Sequence, residues 1–422
     1  MGSRTPQSTA VLGMIRRALN LVDARLVDHG LRVAIVFDAM LETDGSFNEE
    51  DRRDAFMLAL FHDIGAYRTE EIDRMVDFET DSVWEHSAYG YLFLRELSPL
   101  ARLSEIVLYH HMPYDGFDGI DPKIARLAQF LLVADRVDVF GIKYPDRGKQ
   151  DLFSWLEEAK GDLLSPDAVE MFLEAENAFE LVGRTIDEEE IVRCFASHDV
   201  PPSYASSLLS MLVHVIDFRS RHTVVHTMTT AQIALSTARR LGMPEDEIGI
   251  VYEGALVHDL GKIGIPLEIL EKPGKLTAEE TAIMRKHVDL TEQIVDGCLD
   301  LAVVRTALRH HEKLDGSGYP RGLCAADLFE SERIVAVADI VSALAGTRSY
   351  KEAYGKERVV AIVGELMDAG RIDRRASEVL IGDYDAIMEE VAFVCTPIMA
   401  AYERIQEEYG TLIARLDKNS RR

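Results

Sequence analysis

Ten of the chain's thirteen histidines stand in two series of the same order. The later series runs His226, His258-Asp259, His287, His310-His311 and Asp339. The earlier runs His29, His62-Asp63, His86, His110-His111 and Asp135. Five imidazoles and two carboxylates make a mixed nitrogen and oxygen donor set. Such a set suits divalent first-row metals, iron or manganese above all, better than a cysteine-rich structural zinc site. Seven residues are too many for one ion. Two ions with a bridging carboxylate use them naturally, and adjacent His258-Asp259 at a helix end can split between two metals with the aspartate as bridge. A pair of ions about 3.5–4 Å apart holds a bridging water, lowers its pKa, orients it for in-line attack and neutralises phosphate oxygens. The chemistry is therefore phosphoryl transfer. Lys262, four residues after His258, is placed to stabilise the transition state or protonate a leaving oxygen. It also suits a plain helix C-terminus, where the dipole favours a cation. A lone histidine would be read as a surface or satisfied core residue; a set in matched order is not.

The elements that must hold these residues are helices. Thr277 and Glu280 form a capping box ahead of the apolar-periodic run Ile283, Met284, Val288 and Ile294. Thr185 and Glu188 suggest another, and Ser165-Pro166 reads as an N-cap with a first-turn proline. Gly242 closes one helix, Pro244 and its acids open the next, and Gly261 stops it. Strict alternation over strand lengths is rare, so the chain is read as all-α. The two series lie in an internal repeat. "HGLRVA" pairs with "HTMTTA", "ALFHDIGA" with "ALVHDLGK", "EHS" with "KHV", "YHHMPYDG" with "RHHEKLDG", and "LVADRVD" with "AVADIVS". His29 to His62 is 33 residues and His226 to His258 is 32. Two tandem helical domains follow, at 8–145 and 210–400, joined by a helical connector over 146–209. Residues 401–422 are a C-terminal helix with a polar, fraying tail.

Bulk properties limit the partners. A net charge of -27 repels polyanions, so polymeric nucleic acid and anionic membrane surfaces are excluded as general ligands. A phosphate ligand must be held by local groups, such as a metal cluster. Cys194, Cys298, Cys324 and Cys395 are scattered without a CxxC pair, as in a reduced, cytoplasmic chain. No apolar run reaches membrane-spanning length and no signal core opens the chain.

The second half resembles the HD-GYP family of the HD phosphohydrolase superfamily. The resemblance rests on "HDLGKIGIP", "KPGKLTAEE", "HHEKLDGSGYP", "RIVAVADIVSAL" and "RSYKEA", covering roughly 215–360. It implies an all-helical fold, two or three metals (often iron or manganese) and hydrolysis of cyclic dinucleotides, chiefly cyclic di-GMP. It implies metal ligation by His226, His258, Asp259, His287, His310, His311 and Asp339, with Asp259 and Lys262 in catalysis. It places the family's loop on Gly318, Tyr319 and Pro320, and its nucleotide contacts on Arg348 and Lys351. In this loop the glycines let backbone approach the ligand, Pro320 stiffens the turn, and Tyr319 offers a face or hydroxyl beside the phosphate. Members with three metals place a glutamate four residues before the first histidine ligand. Here that position is His222, a candidate third-metal ligand, and two ions are the expectation.

The first repeat keeps a candidate ligand set in His29, His62, Asp63, His86, His110, His111 and Asp135. It has Ala66 at the Lys262 position and "DGFDGI" in place of "DGSGYP", while Tyr144 and Arg147 stand where Arg348 and Lys351 would. It reads as a degenerate HD domain that packs, regulates or forms a homodimer; the rival is a second phosphohydrolase site with another substrate. The function expected is a metal-dependent phosphodiesterase of a cyclic dinucleotide, cyclic di-GMP first, attacked by a metal-bridging hydroxide. Three rivals stand beside it: a 3',3'-cyclic GMP-AMP phosphodiesterase, an HD-type nucleotide phosphohydrolase, and a non-catalytic nucleotide sensor.

Overall fold

The structure, a computed structural model, describes residues 8–22, 27–66, 84–220, 223–346 and 354–420, with side chains as far as 416. Helices dominate, and there is no β-strand among the described residues, only two isolated bridges. The chain divides into two compact units. One consists of 23–208 and 403–422, the other of 1–22 and 209–402. They are called the first and second units below. Two of the boundaries, 208/209 and 402/403, fall within the helices Pro202–Arg219 and Tyr384–Ser420.

Each unit is built on the same helical frame. In the second, helix His226–Arg240 lies between Glu245–Val257 and Glu330–Ala345. Small residues on its inner face, Ala231, Ala234 and Ala238, are fully buried against Val251, Ala255, Val335 and Ala338. In the first, His29–Asp44 lies against Glu49–Leu60 and Pro122–Lys143. The pair His29 and His226 each open a helix. His62-Asp63 and His258-Asp259 each lie just past the end of one. His110-His111 and His310-His311 follow the short helices Glu105–Tyr109 and Leu301–Leu308, and Asp135 and Asp339 lie mid-helix.

Local signals mostly place the ends as expected. Thr277 and Glu280 form the reciprocal capping box, and the Ser165 hydroxyl accepts from Ala168 N–H with Pro166 in the first turn. Gly242 takes φ +72°, the left-handed conformation that glycine enters most easily. Two details differ. The helix Glu188–Ser197 is capped by Asp187, whose carboxylate accepts from Glu190 N–H, because the acid lies directly before the helix, two residues nearer than Thr185. The helix before His258 ends at Val257, and Gly261 lies inside a following 3-10 turn, Leu260–Gly264.

Gly261 is there for packing. A Cβ on it would stand 2.0 Å from the His287 carbonyl oxygen and 2.5 Å from Thr291 N. Its N–H donates to the Thr291 hydroxyl at 2.9 Å. Gly65 is its counterpart, with a Cβ position 2.0 Å from the His86 carbonyl oxygen. In each unit the turn carrying the His-Asp pair thus touches the backbone of the helix that carries the next histidine.

The termini pack on units their sequence position would not suggest. The helix Ser8–Asn20, within the 8–145 segment, packs on His287–Val295 and the Leu260–Gly264 turn of the second unit. Leu12, Met14 and Ile15 are fully buried, and Arg17 donates to the Asp296 carbonyl at 2.5 Å. The end of the last helix belongs to the first unit, where Arg404 pairs with Glu96 at 2.7 Å and Arg95 with Glu408 at 2.8 Å. The 146–209 segment is also largely part of the first unit, with Pro166–Phe179 packed on His29–Asp44 and Pro122–Lys143. The polar C-terminal stretch stays helical to Ser420. Ile15→Ala is expected to destabilise the second unit by about 2–5 kcal/mol, the usual cost of emptying a buried aliphatic site. Urea unfolding monitored on that unit's metal binding checks it.

Candidate metal centre and cavity

Helix ends explain how the histidines are aimed. The last carbonyls of a helix lack intrahelical partners. His258 Nδ1–H donates to the Ala255 carbonyl at 2.6 Å, His287 to Met284 at 2.7 Å and His310 to Ala307 at 2.6 Å. In the first unit His62 donates to Ala59 at 2.7 Å and His110 to Val107 at 2.6 Å. Each bond spans three residues, fixes the ring, and leaves Nε2 as the ligating nitrogen. His226 Nδ1–H instead donates to the Ser342 hydroxyl at 3.0 Å, which donates on to the His226 carbonyl at 3.2 Å.

The seven donors of the second unit converge in two groups, and Asp259 spans both. Its Oδ2 is 3.3 Å from His226 Nε2 and 3.0 Å from His258 Nε2. Its Oδ1 is 3.4 Å from His287 Nε2 and 3.9 Å from His310 Nε2. Asp339 reaches His226 Nε2 at 3.3 Å with Oδ1 and faces His311 Nδ1 at 3.6 Å with Oδ2. The sets His226–His258–Asp259 and His287–His310–His311 each bring one donor atom per residue within 4.8 Å of the others. Buried His258 Nε2 and Asp259 Oδ1 have no hydrogen-bond partner. Orphaned polar atoms at the centre of a dry nitrogen and oxygen set fit a divalent metal, which would satisfy them.

The first unit repeats this arrangement. Asp63 Oδ2 lies 3.3 Å from His29 Nε2 and 3.2 Å from His62 Nε2, and its Oδ1 lies 3.8 Å from both His86 and His110. Asp135 Oδ1 is 3.4 Å from His29 Nε2. His62 Nε2, His110 Nε2 and both Asp63 oxygens are buried without hydrogen-bond partners.

Charges in the second unit's site are strongly coupled. Burial pulls His226 down, but the carboxylates of Asp259 and Asp339 outweigh it and hold its pKa up to about 9. Burial raises Asp259, and His258, Lys262 and His226 overturn that and keep it well below the usual carboxylate range. Lys262 Nζ stands 2.5 Å from Asp259 Oδ2. Burial pushes His311 down to about 3, so its imidazole is neutral and keeps a ring nitrogen lone pair to offer.

The site opens on a cavity of about 710 Å³ lined by residues of the second unit alone. His226, His287, His311 and Asp339 form its floor, with Lys262, Lys272, Lys275 and Tyr319 around them. The Tyr319 ring lies 4.6 Å from the His311 ring at 32°, and the Arg285 guanidinium sits 4.5 Å from its centroid. Gly318 is required by close approach, since its Cβ would stand 2.4 Å from Glu312 Cα. Glu312, 2% exposed, accepts from Arg321 N–H at 2.7 Å and Leu323 N–H at 2.9 Å, tying the loop's far side to the histidine pair. The Tyr319–Pro320 peptide is cis.

The structure therefore brings His226, His258, Asp259, His287, His310, His311, Asp339, Lys262, Gly318, Tyr319 and Pro320 to one place. His222, Arg348 and Lys351 lie outside the described residues. Several site residues had not been singled out. Lys272 and Lys275 were quoted only as part of "KPGKLTAEE". Glu312 directly follows the histidine pair. Ser342 lies one helical turn past Asp339, a spacing that puts both on one face. Asp217 also lines the cavity; burial raises its pKa to about 6, and it accepts from Thr227 N–H at 3.0 Å and Oγ1–H at 2.8 Å.

Family models described as HD domain match residues 210–376 and 26–139. Two HD domains in tandem define the class. With the histidine pair, Lys262 and the Gly318-Tyr319-Pro320 loop on the second of them, the chain belongs to the HD-GYP family. It is 29% identical over 392 residues to "3'3'-cGAMP-specific phosphodiesterase 1" of Vibrio cholerae, covering 87% of this chain and 89% of that protein. It is 36% identical over 188 residues to "Cyclic di-GMP phosphodiesterase response regulator RpfG" of Xanthomonas campestris, 43% of this chain and 50% of that one. A crystal structure of a cyclic GMP-AMP specific phosphodiesterase of V. cholerae (V-cGAP3) matches with a TM-score of 0.53 at 20% identity, over 91% of this chain and 98% of that one, a likeness of fold. Among the described residues no helix is long and apolar enough to cross a membrane.

Ser342 offers a direct test of the ligand shell. Ser342→Ala leaves His226 Nδ1 without its partner, and metal affinity of the second unit is expected to fall roughly 10–100-fold. Chelator competition measures it.

Proposed function

We propose that the second unit hydrolyses a phosphodiester bond of a cyclic dinucleotide, with two divalent ions, iron or manganese, held by His226, His258, Asp259, His287, His310, His311 and Asp339. The observation that carries this reading is the shared Asp259 carboxylate at the floor of a cavity rimmed by three lysines and Tyr319. The cavity has the size of a small-molecule site. When bound, the ions supply Lewis-acid stabilisation of phosphate charge and a nucleophile at neutral pH.

The chain's own groups account for the rest. Asp259 presents one oxygen to each histidine group and so fixes their separation. Lys262 is a compact ammonium beside Asp259, within reach of a phosphate oxygen bound on the floor; Asp259 outweighs the effect of burial and keeps it charged. Lys275 adds positive charge at the rim, where Lys272 is paired with Glu280 at 2.6 Å, in a protein whose total is -27, so attraction of a doubly charged substrate is short-range. Burial, then Asp259 and Asp339, push the Tyr319 phenol far up, so it stays protonated and offers a hydrogen-bond donor to a bound phosphate. Arg285 and His311 hold its ring from two sides. By resemblance, Arg348 and Lys351 contact the base or phosphate, and His222 is left outside a two-ion centre.

Relatives named for both messengers support the substrate class. One relative that spans both units is named for 3'3'-cGAMP, and one named for cyclic di-GMP matches 43% of the chain. Both belong in the assay. His258→Ala with Asp259→Ala is expected to abolish hydrolysis of either, while His62→Ala with Asp63→Ala keeps most of it. Product analysis by chromatography on metal-loaded protein decides. A dead first-unit variant with unchanged fold would move catalysis to the other unit. Arg348→Ala is expected to raise KM about tenfold or more, the loss of a charge-assisted hydrogen bond, with metal content unchanged.

A further inference from the structure

The two units carry the same seven donors, yet the residue beside one of them changes the charge at the site. Asp135 is followed by Arg136, where Asp339 is followed by Ile340. Arg136 is 2% exposed, its Nη2 stands 3.1 Å from His111 Nδ1, and its Nε is 3.8 Å from Asp135 Oδ2. A guanidinium has only donors and keeps its charge. His111 Nδ1 must therefore accept. A neutral imidazole then carries its hydrogen on Nε2, which donates to His86 Nε2 at 3.1 Å.

An edge of 3.1 Å would by itself also suit two ligands of one ion. Arg136 decides between the two readings. An imidazole that ligates through Nε2 holds its hydrogen on Nδ1, and that N–H would face the N–H of Arg136. A fixed positive charge also opposes a dication at this corner. In the second unit His311 Nδ1 faces a carboxylate instead, Asp339 Oδ2 at 3.6 Å. The Asp63–His86–His110–His111 corner of the first unit therefore does not fit a metal ion, although its donors lie close enough together for one and His110 Nε2 and Asp63 Oδ1 have no hydrogen-bond partner; the guanidinium decides against it.

The other corner fits. His29, His62 and Asp135 converge with Asp63 Oδ2, and His62 Nε2 and Asp63 Oδ2 have no hydrogen-bond partner. Behind it, His29 Nδ1–H donates to Asp138 Oδ2 at 2.7 Å, and Arg32 grips Asp138 at 2.5 and 2.9 Å. Ser342 holds the matching place in the second unit. A carboxylate behind a histidine raises its basicity and orients it more firmly than a hydroxyl does.

We propose that the first unit is a one-ion site, with metal in the His29–His62–Asp63–Asp135 corner and the Arg136 guanidinium standing in for a second ion. The test counts manganese in the full chain after loading and gel filtration. His62→Ala with Asp63→Ala is expected to lose one equivalent, and Arg136→Ile, which copies Ile340, to gain one. Arg136→Met serves as a second variant closer in volume. Electron paramagnetic resonance of the wild-type chain should show the six-line signal of an isolated manganese(II), absent from the His62→Ala, Asp63→Ala chain. Loss of two equivalents or of none in that chain overturns the proposal. So does unchanged content in a folded Arg136→Ile or Arg136→Met chain, or a wild type without the six-line signal. Because the first unit's ions are counted as differences, the result holds whatever the second unit hydrolyses.

Discussion

One buried carboxylate shared between two groups of imidazoles organises the second unit. Asp259 is 3% exposed, and its two oxygens face opposite ways, one toward His226 and His258, the other toward His287 and His310. A buried charge is costly unless it is paired. The fold meets that cost by placing a histidine one or two residues past the ends of three helices, where its Nδ1–H satisfies one of the last carbonyls and its Nε2 turns inward. The Gly261 contact then sets how near the Asp259 turn comes to His287, because any side chain there would displace one or the other. Ligand geometry and helix packing are in this sense one constraint.

The same frame in the first unit has a different outcome. Asp63 faces both groups of imidazoles as Asp259 does, and Gly65 packs as Gly261 does. What changes is the charge around the frame. Ala66 stands in place of Lys262, Asp138 in place of Ser342 and Arg136 in place of Ile340. Three substitutions thus remove a cation from the substrate side, add an anion behind one ligand and insert a guanidinium beside another. A duplicated scaffold can keep its donor atoms and still lose the lysine beside them on which phosphate chemistry draws.

Much of this was legible in the sequence. Metal ligation requires particular residue types at positions set by helix ends, so His258-Asp259 and His310-His311 show in the pattern of letters, and the repeat makes them stand out. The all-helical frame was legible for a similar reason, since caps and apolar periodicity are local. The exchange of terminal segments was not. The apolar face of Ser8–Asn20 states that the helix is buried, and nothing in it states against which of two similar repeats. The contacts of Arg136 and Ser342 were hidden because each meets the Nδ1 atom of a histidine, which only coordinates reveal. The nucleotide contacts at Arg348 and Lys351 rest on resemblance, as those positions lie outside the described residues.

The central claim is that Asp259 joins two metal ions into one centre. Anomalous diffraction from crystals of the manganese-loaded full chain tests it most directly. The account predicts two peaks in the second unit, about 3.5–4 Å apart, one against each Asp259 oxygen, with His226 and His258 on one side and His287 and His310 on the other. A single peak, or two peaks that leave Asp259 uncoordinated, would contradict it.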